Sequence, residues 1–85
     1  MTPDYIRAHR HAIYHREEIL ASERCGCFYC CATFPPADVA DWTDESESVG
    51  QTALCPRCGI DSVIGSDSGY PVTPEFLAAM KAQWF

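Results

Sequence analysis

The stretch ERCGCFYCCATFPP (residues 23–36) places four cysteines within seven positions, and ALCPRCG (residues 53–59) contains the other two cysteines of the chain. Each stretch includes one Cys-x-x-Cys pair. A turn with two residues between its cysteines lets both sulfurs face one ion, and two such turns supply the four soft ligands of a tetrahedral zinc site. The sequence therefore predicts one Zn2+ ion bound by Cys27, Cys30, Cys55 and Cys58.

The residues within and beside the pairs suit metal-binding turns. In the second pair, Pro56 fixes φ within the turn, and Gly59 tolerates the left-handed backbone conformation that follows the second ligand. In the first pair, we expect Phe28 and Tyr29 to shield the ion from water. Arg57 is expected to place a cation beside the thiolates. These last three side chains are the predicted surroundings of the ion.

Two cysteines remain outside the pairs. Along an extended chain, Cys30 and Cys31 point to opposite faces, whereas Cys25 and Cys27 share a face. We therefore interpret Cys31 as a buried structural thiol and keep Cys25 as the alternate ligand that would replace Cys27. A reactive or sensing thiol next to the metal is the alternative role for Cys25 and Cys31.

Chain length explains why a metal is needed. The chain has 85 residues, and a domain of this size removes only about 60 to 65% of its unfolded surface from water on folding. Hydrophobic residues make up 47% of the chain, which is too much apolar material for a disordered protein. We therefore expect one domain, residues 1–85, whose small core is stabilised by the bound ion.

The N-terminus and the net charge indicate the cellular compartment and the class of partner. The first 18 residues carry charges throughout, so we expect neither a secretory signal nor a membrane anchor. This favours the cytosol, where thiols stay reduced, and hence metal ligation over disulfides. The formal net charge is −6, which repels a phosphate backbone unless a local patch overrides the whole.

Helices are predicted at both ends of the chain. Residues 1–22 carry apolar side chains at helical spacing, with Thr2 as the N-cap. Residues 73–85 form a second helix that opens with Thr73 and a proline. Between the helices, residues 25–64 form the metal-binding core.

The core contains three further patterns. PPADVADW (residues 35–42) predicts one or two helical turns that bury Val39 and Trp42. The acidic, serine-rich TDESESVG (residues 43–50) predicts a solvated loop, and the apolar runs of QTALCPRCGIDSVIG (residues 51–65) predict a β-hairpin. The predicted fold is α+β: a small zinc-ribbon-like domain with two Cys-x-x-Cys knuckles, short β-hairpins, and N-terminal and C-terminal helices.

The first helix carries the main cluster of cations. Arg7, His11 and His15 fall in an exposed row that we interpret as a solvated face. The two histidines have the spacing of a second metal site but lack the glutamate of the His-Glu-x-x-His pattern. His9 and Arg16 interrupt the apolar stripe, so they either cap buried carbonyls or carboxylates, or face a partner that supplies an acid. The candidate partner contacts are Arg7, His9 and Arg16.

Four runs together resemble a family of small bacterial proteins usually labelled only as cytoplasmic proteins: CGCFYC (25–30), ALCPRCGIDSVIG (53–65), SGYPVTPEFL (68–77) and the terminal WF. The resemblance covers roughly residues 24–85, and the paired cysteines match. It implies a cytosolic, cysteine-rich bacterial protein and no established activity.

A closed four-cysteine zinc site has no open coordination position, so we expect a structural site and no enzyme activity. The predicted function is protein interaction or regulation, with another protein as the partner. A rubredoxin-like iron electron carrier is one alternative, and a zinc ribbon that binds nucleic acid through the basic first helix is another. A glutaredoxin-like pair lacks its βαβ context, and a treble-clef nuclease lacks a histidine after the first cysteine pair. The sequence leaves the oligomeric state open.

Overall fold

The computed structural model of the protein describes residues 3–85, so the predicted N-cap Thr2 lies outside the described residues. Within that range, short helices and short antiparallel strands confirm the predicted α+β class and its resemblance to a zinc ribbon. No helix among these residues has the length and apolar character needed to cross a membrane. The elements in chain order are α1 (Asp4–Arg7), α2 (Arg16–Ala21), β1 (Cys25–Cys27), β2 (Thr33–Phe34), β3 (Trp42–Ser46), β4 (Val49–Ala53), β5 (Val63–Gly65) and α3 (Pro74–Trp84).

The strands form two antiparallel sheets. In the three-stranded sheet, β1 is central and lies between β2 and β5. Cys25 is opposite Phe34 of β2, and Cys27 is opposite Val63 of β5. The second sheet contains only β3 and β4. The first Cys-x-x-Cys turn therefore connects the two strands of a hairpin, because β1 leads into it and β2 follows it.

Of the single helix predicted over residues 1–22, the described part, residues 3–22, is interrupted. A 3₁₀ turn (Ala8–Ala12) follows α1, and the chain then leaves helical geometry at extended Ile13 and left-handed Tyr14, whose φ is 50°. The N–H of Tyr14 donates to the hydroxyl of Thr52 in β4, at 2.9 Å. A tertiary hydrogen bond thus replaces a helical one, which periodicity alone does not reveal.

The break also buries His15, which was predicted to be exposed. Its side chain is only 5% exposed; its Nε2 accepts the N–H of Ala53 at 3.0 Å, and its Nδ1 bonds the carbonyl of His11. This arrangement requires the neutral imidazole, with Nδ1 donating. Burial accordingly lowers the pKa of His15 below its ordinary value of 6.5. His15 therefore fixes the N-terminal segment to the end of β4.

The acidic stretch predicted as a loop is instead a hairpin. Residues 43–50 supply most of β3 and β4, and only Glu47 and Ser48 form the turn. Both turn residues have positive φ, 54° and 68°, the conformation whose twist matches a two-residue hairpin. Neither is the glycine or asparagine that signals such a turn, so the loop prediction was wrong. Trp42 consequently lies in β3 and not in the predicted helical segment, which is reduced to a 3₁₀ turn at Pro36–Asp38.

The hairpin predicted across the second cysteine pair is also wrong. Ala53, before the pair, belongs to β4 and pairs with β3. Val63 and Ile64, after the pair, belong to β5 and pair with β1. The two apolar runs are therefore parts of different sheets, and the second Cys-x-x-Cys turn joins one sheet to the other.

Buried side chains form two clusters, because alternate residues of a strand point to opposite faces. One cluster contains Cys27 and Val63, and the other contains Ile64. Helix α3 covers the second cluster with Leu77 and Met80, both fully buried. The hydroxyl of Thr73 accepts the N–H of Phe76 at 3.2 Å, which is the predicted N-cap of this helix.

Candidate metal centre

The predicted metal-binding cysteines come together. Their four sulfurs all lie within 4.8 Å of one another. The Cys27 and Cys58 sulfurs are 3.7 Å apart, as are those of Cys30 and Cys55. A disulfide would need about 2.05 Å, whereas a tetrahedral zinc ion with bonds of about 2.3 Å separates its sulfurs by about 3.8 Å. The donor set and its spacing thus fit one tetrahedral thiolate-bound metal ion.

The two knuckles have the same backbone hydrogen bonds. In each, the N–H of the first cysteine donates to the carbonyl five residues later, and the N–H four residues later donates to the carbonyl of the first cysteine. The bonds are Cys27 to Ala32 (3.0 Å) and Cys31 to Cys27 (2.9 Å) in one knuckle, and Cys55 to Ile60 (2.9 Å) and Gly59 to Cys55 (2.9 Å) in the other. Two different sequences therefore fold into the same ligand-presenting turn.

The residue after each second ligand is left-handed. Its φ is 82° at Gly59, as predicted, and 62° at Cys31 in the first knuckle. A non-glycine residue is strained in this conformation, because its Cβ approaches the following carbonyl. The first knuckle therefore adopts the glycine-type geometry without a glycine, and Cys31 is half-buried beside the second core cluster.

Backbone N–H groups contact the sulfurs directly. The N–H of Tyr29 donates to Cys27 Sγ, and the N–H of Arg57 donates to Cys55 Sγ, both at 3.3 Å. The guanidinium of Arg57 instead pairs with Asp38 at 3.3 Å, on the surface. Tyr29 and Arg57 thus contact the sulfurs through their main chains, and the predicted role of the Arg57 charge beside the thiolates stays a prediction.

A buried serine, which no sequence motif indicates, completes the surroundings of the site. Ser62 Oγ lies 3.1 Å from Cys27 Sγ, and the Ser62 side chain is buried. The carbonyl of Ser62 also accepts the N–H of Phe28, at 2.9 Å. Phe28 is buried, as expected for a shield against water. Ser62 reaches the site because β5 pairs with β1, and that strand pairing was not predicted.

The pKa values of the cysteine thiols indicate how many thiolates the site stabilises without a metal ion. Burial alone would raise the pKa of Cys27, but hydrogen bonds from Ser62, from nearby backbone N–H groups and from Cys58 together lower it. Burial, together with the neighbouring thiols of Cys27 and Cys55, raises the pKa of Cys58 to about 12. One thiolate is therefore favoured and additional ones are opposed. A divalent cation relieves that opposition, because it compensates the accumulated charge.

Cys25 lies outside the four-sulfur cluster. It is fully buried in the core beside Ile19 and Phe34, and burial raises its pKa to about 11. Two residues along a strand cover about 6.6 Å, which keeps Cys25 away from the sulfurs that Cys27 joins. The structure therefore brings Cys27, and not the alternate Cys25, into the ligand set.

The cations proposed as partner contacts occupy three different environments. Arg7 lies 3.8 Å from Asp4 on the surface. Arg16 donates to the carbonyl of Gly50 at 2.9 Å, which is the capping role considered from the sequence, and its guanidinium lies 4.6 Å from the Trp42 ring centroid. The ring of His9 packs on Trp84 and has no hydrogen bond to a carbonyl of residues 3–85.

The remaining histidines do not form a second metal pair. His11 Nδ1 lies 3.0 Å from a carboxylate oxygen of Glu18, while both ring nitrogens of His15 are engaged in the interior. Hydrogen bonds and ion pairs within the chain thus occupy much of the predicted basic row. This distribution does not favour a phosphate-binding surface.

No protein-family model matches the chain, and comparison with curated proteins and with solved structures gives no match either. The family resemblance drawn from the sequence therefore stays a prediction.

Proposed function

We propose that this protein is a small zinc-binding module that works in the bacterial cytosol through contact with another protein, and that its zinc is structural. The observation that carries the proposal is the cluster of four cysteine sulfurs within 4.8 Å. Four thiolates complete a tetrahedral shell, which leaves no position for water or substrate. A role in folding is therefore favoured over catalysis.

The ligand positions explain what a bound ion would do for the fold. Cys27 and Cys30 belong to the β1–β2 hairpin, whereas Cys55 and Cys58 lie on the connection from β4 to β5. Zinc held by these residues would cross-link the two sheets and neutralise thiolate charge. Zinc binding is worth about 10 to 16 kcal/mol in small zinc-finger peptides. This free energy is of the same size as the stability of about 5 to 15 kcal/mol that is typical of whole domains. Loss of the ion should therefore unfold the protein.

Two matched variants test this role. Cys58→Ser should lose metal and cooperative unfolding, because it removes one ligand of the shell. Cys31→Ser removes a sulfur beside a ligand but outside the cluster, and should retain one metal ion per chain. Elemental analysis of the purified protein and thermal unfolding by circular dichroism give both readouts. If metal-free Cys58→Ser still unfolded cooperatively at the wild-type midpoint temperature, the proposal would be contradicted.

A rubredoxin-like iron electron carrier is a second candidate, favoured by two observations. The knuckles match in their N–H···S bonds, and both Cys30 and Cys58 are exposed at the surface. Exposed ligands would give an electron-transfer partner access to the site. Protein purified from its native host should be colourless and redox-inert if the ion is zinc. A red protein that bleaches on reduction would support iron.

The nature of the partner needs a separate experiment. The tagged, metal-loaded full chain should retain a protein from a lysate of the native host, and nuclease treatment should not release it. Retention of nucleic acid alone would instead support the zinc ribbon alternative. A Cys58→Ser chain serves as the unfolded control.

A further inference from the structure

A groove beside the first knuckle has a volume of about 230 Å3. It lies where the N-terminal 3₁₀ turn meets the end of α3, next to the residues that contact Cys27. Four of its eight lining residues carry aromatic rings, and the others include Ala12, Ile13 and one carboxylate side chain. The lining residues that matter here are His9, Phe28, Asp61, Ser62, Trp84 and Phe85.

The aromatic rings hold one another in place. The His9 and Trp84 ring centroids are 4.0 Å apart with an interplanar angle of 30°, and the His9 ring lies 5.8 Å from that of Phe28. Phe28 is in turn 5.9 Å from Phe85. Phe28 is buried, whereas Trp84 and Phe85 remain 39% and 60% exposed. The groove therefore presents ring surface to solvent on a fixed base.

The titratable side chains that line the groove are Asp61 and His9, and the His9 ring packs against Trp84. Asp61 is its single carboxylate, and neither arginine nor lysine lines it. Within residues 3–85, Asp61 is exposed and forms no ion pair or side-chain hydrogen bond. The faces of aromatic rings are also negative in potential, so they attract cations. Ring faces and carboxylate together complement a positively charged group.

The protein already uses aromatic rings to hold cations elsewhere. Lys81 Nζ lies 5.3 Å from the ring centroid of Tyr29, which itself packs against Phe85. The Arg16 guanidinium covers Trp42 in the same way. The groove differs from these two sites because no arginine or lysine lines it.

We propose that this groove binds an arginine side chain from a basic segment of a partner protein. A planar guanidinium stacks on rings and pairs with a carboxylate, which matches the walls and Asp61. The inference rests on the proposed function, since it names the surface and the partner chemistry of the same module. It places binding beside the metal centre, on a wall that includes His9, and away from Arg7 and Arg16.

The test uses the zinc-loaded full chain and a set of matched peptides. The first is acetyl-Gly-Gly-Arg-Gly-Gly-amide, and the second replaces arginine by citrulline, which has the same shape without the charge. Leucine and glutamate peptides complete the set. In 15N NMR titrations, the arginine peptide should shift the indole signal of Trp84 and the amides of Asp61 and Ser62, and the other three peptides should bind at least fivefold more weakly.

Variants localise the binding. Asp61→Asn should weaken arginine-peptide binding about fivefold, as expected for one exposed ion pair. Asp67→Asn makes the same change at an exposed acid outside the groove and should have no effect. Trp84→Leu should weaken binding about tenfold through loss of the cation–π contact, while Trp84→Phe should restore most of it. Metal content and circular dichroism of each variant verify the fold.

Equal binding of the citrulline or leucine peptide would overturn the proposal, because the groove would then recognise shape or apolar surface alone. Failure of the folded, zinc-loaded chain to bind the arginine peptide would overturn it as well. Neither result affects the proposed function, which fails separately if the chain holds no metal or retains no protein. Charge-dependent binding that Asp61→Asn and Trp84→Leu both weaken would establish the site.

Discussion

Ser62→Ala tests whether the predicted metal site depends on a residue that no motif identifies. The serine hydroxyl lies 3.1 Å from Cys27 Sγ, and both groups are buried. A hydrogen bond to a charged acceptor contributes about 1.5 to 3 kcal/mol. At about 1.4 kcal/mol per tenfold, its loss should weaken zinc binding by about 10- to 100-fold, the range seen when residues that support metal ligands are replaced. The ligands themselves are unchanged, so the variant should still bind one ion.

Competition with a chromophoric chelator measures this change at a fixed pH. Ser46→Ala is the matched control, since Ser46 is an exposed serine of β3 and should leave the affinity unchanged. The thermal stability of the zinc-loaded Ser62→Ala protein should fall with the affinity, because binding and folding are coupled. If Ser62→Ala and Ser46→Ala bind zinc equally well, the hydroxyl does not stabilise the Cys27 thiolate and the reasoning fails.

Three further outcomes follow from the fold. Gly59→Ala should cost about 1 kcal/mol in urea unfolding through its left-handed φ alone, because a Cβ there meets no described atom within 4 Å; Gly59→Asn should cost less, and equal costs would refute the backbone argument. The pKa of His15 is lowered by burial, against the raising effects of the His11 carbonyl and the Glu18 charge. The contribution of His15 to stability is thus complete above about pH 6.5 and is lost as the pH falls through the lowered folded-state pKa. His15→Gln should flatten this pH dependence of the urea midpoint. Metal content is followed in parallel, because the thiolates also bind protons. Chelation of the ion at neutral pH should unfold the chain, and re-addition of zinc should restore its circular dichroism, whereas a native spectrum after complete metal removal would show that the ion is dispensable.

The metal centre was predictable because a Cys-x-x-Cys turn is a local structure. Its geometry depends on a few consecutive residues, and the same hydrogen bonds appear in both knuckles even though Cys31 replaces the glycine of the second one. The N-cap at Thr73 was predictable for the same reason. In each case the residues that determine the conformation are close together in the sequence.

The features that were missed depend on distant residues. The break in the N-terminal helix arises from bonds of Tyr14 and His15 to β4, and Ser62 joins the site through strand pairing. The acidic hairpin has no glycine or asparagine at its turn, where Glu47 and Ser48 adopt positive φ. Tertiary contacts override local preference in all three cases, and the spacing of residues along the chain does not record them.

The β3–β4 hairpin affects the entropy cost of joining the two knuckles through one metal ion. The hairpin lies between Cys30 and Cys55 in the sequence, and its base is joined where Trp42 faces Ala53. Once formed, it removes its own length from the tether between the knuckles, so the entropy of ring closure depends on the remaining linker and not on the hairpin tip. A fluorophore or an extra peptide can consequently be introduced at the Glu47–Ser48 tip without weakening metal binding.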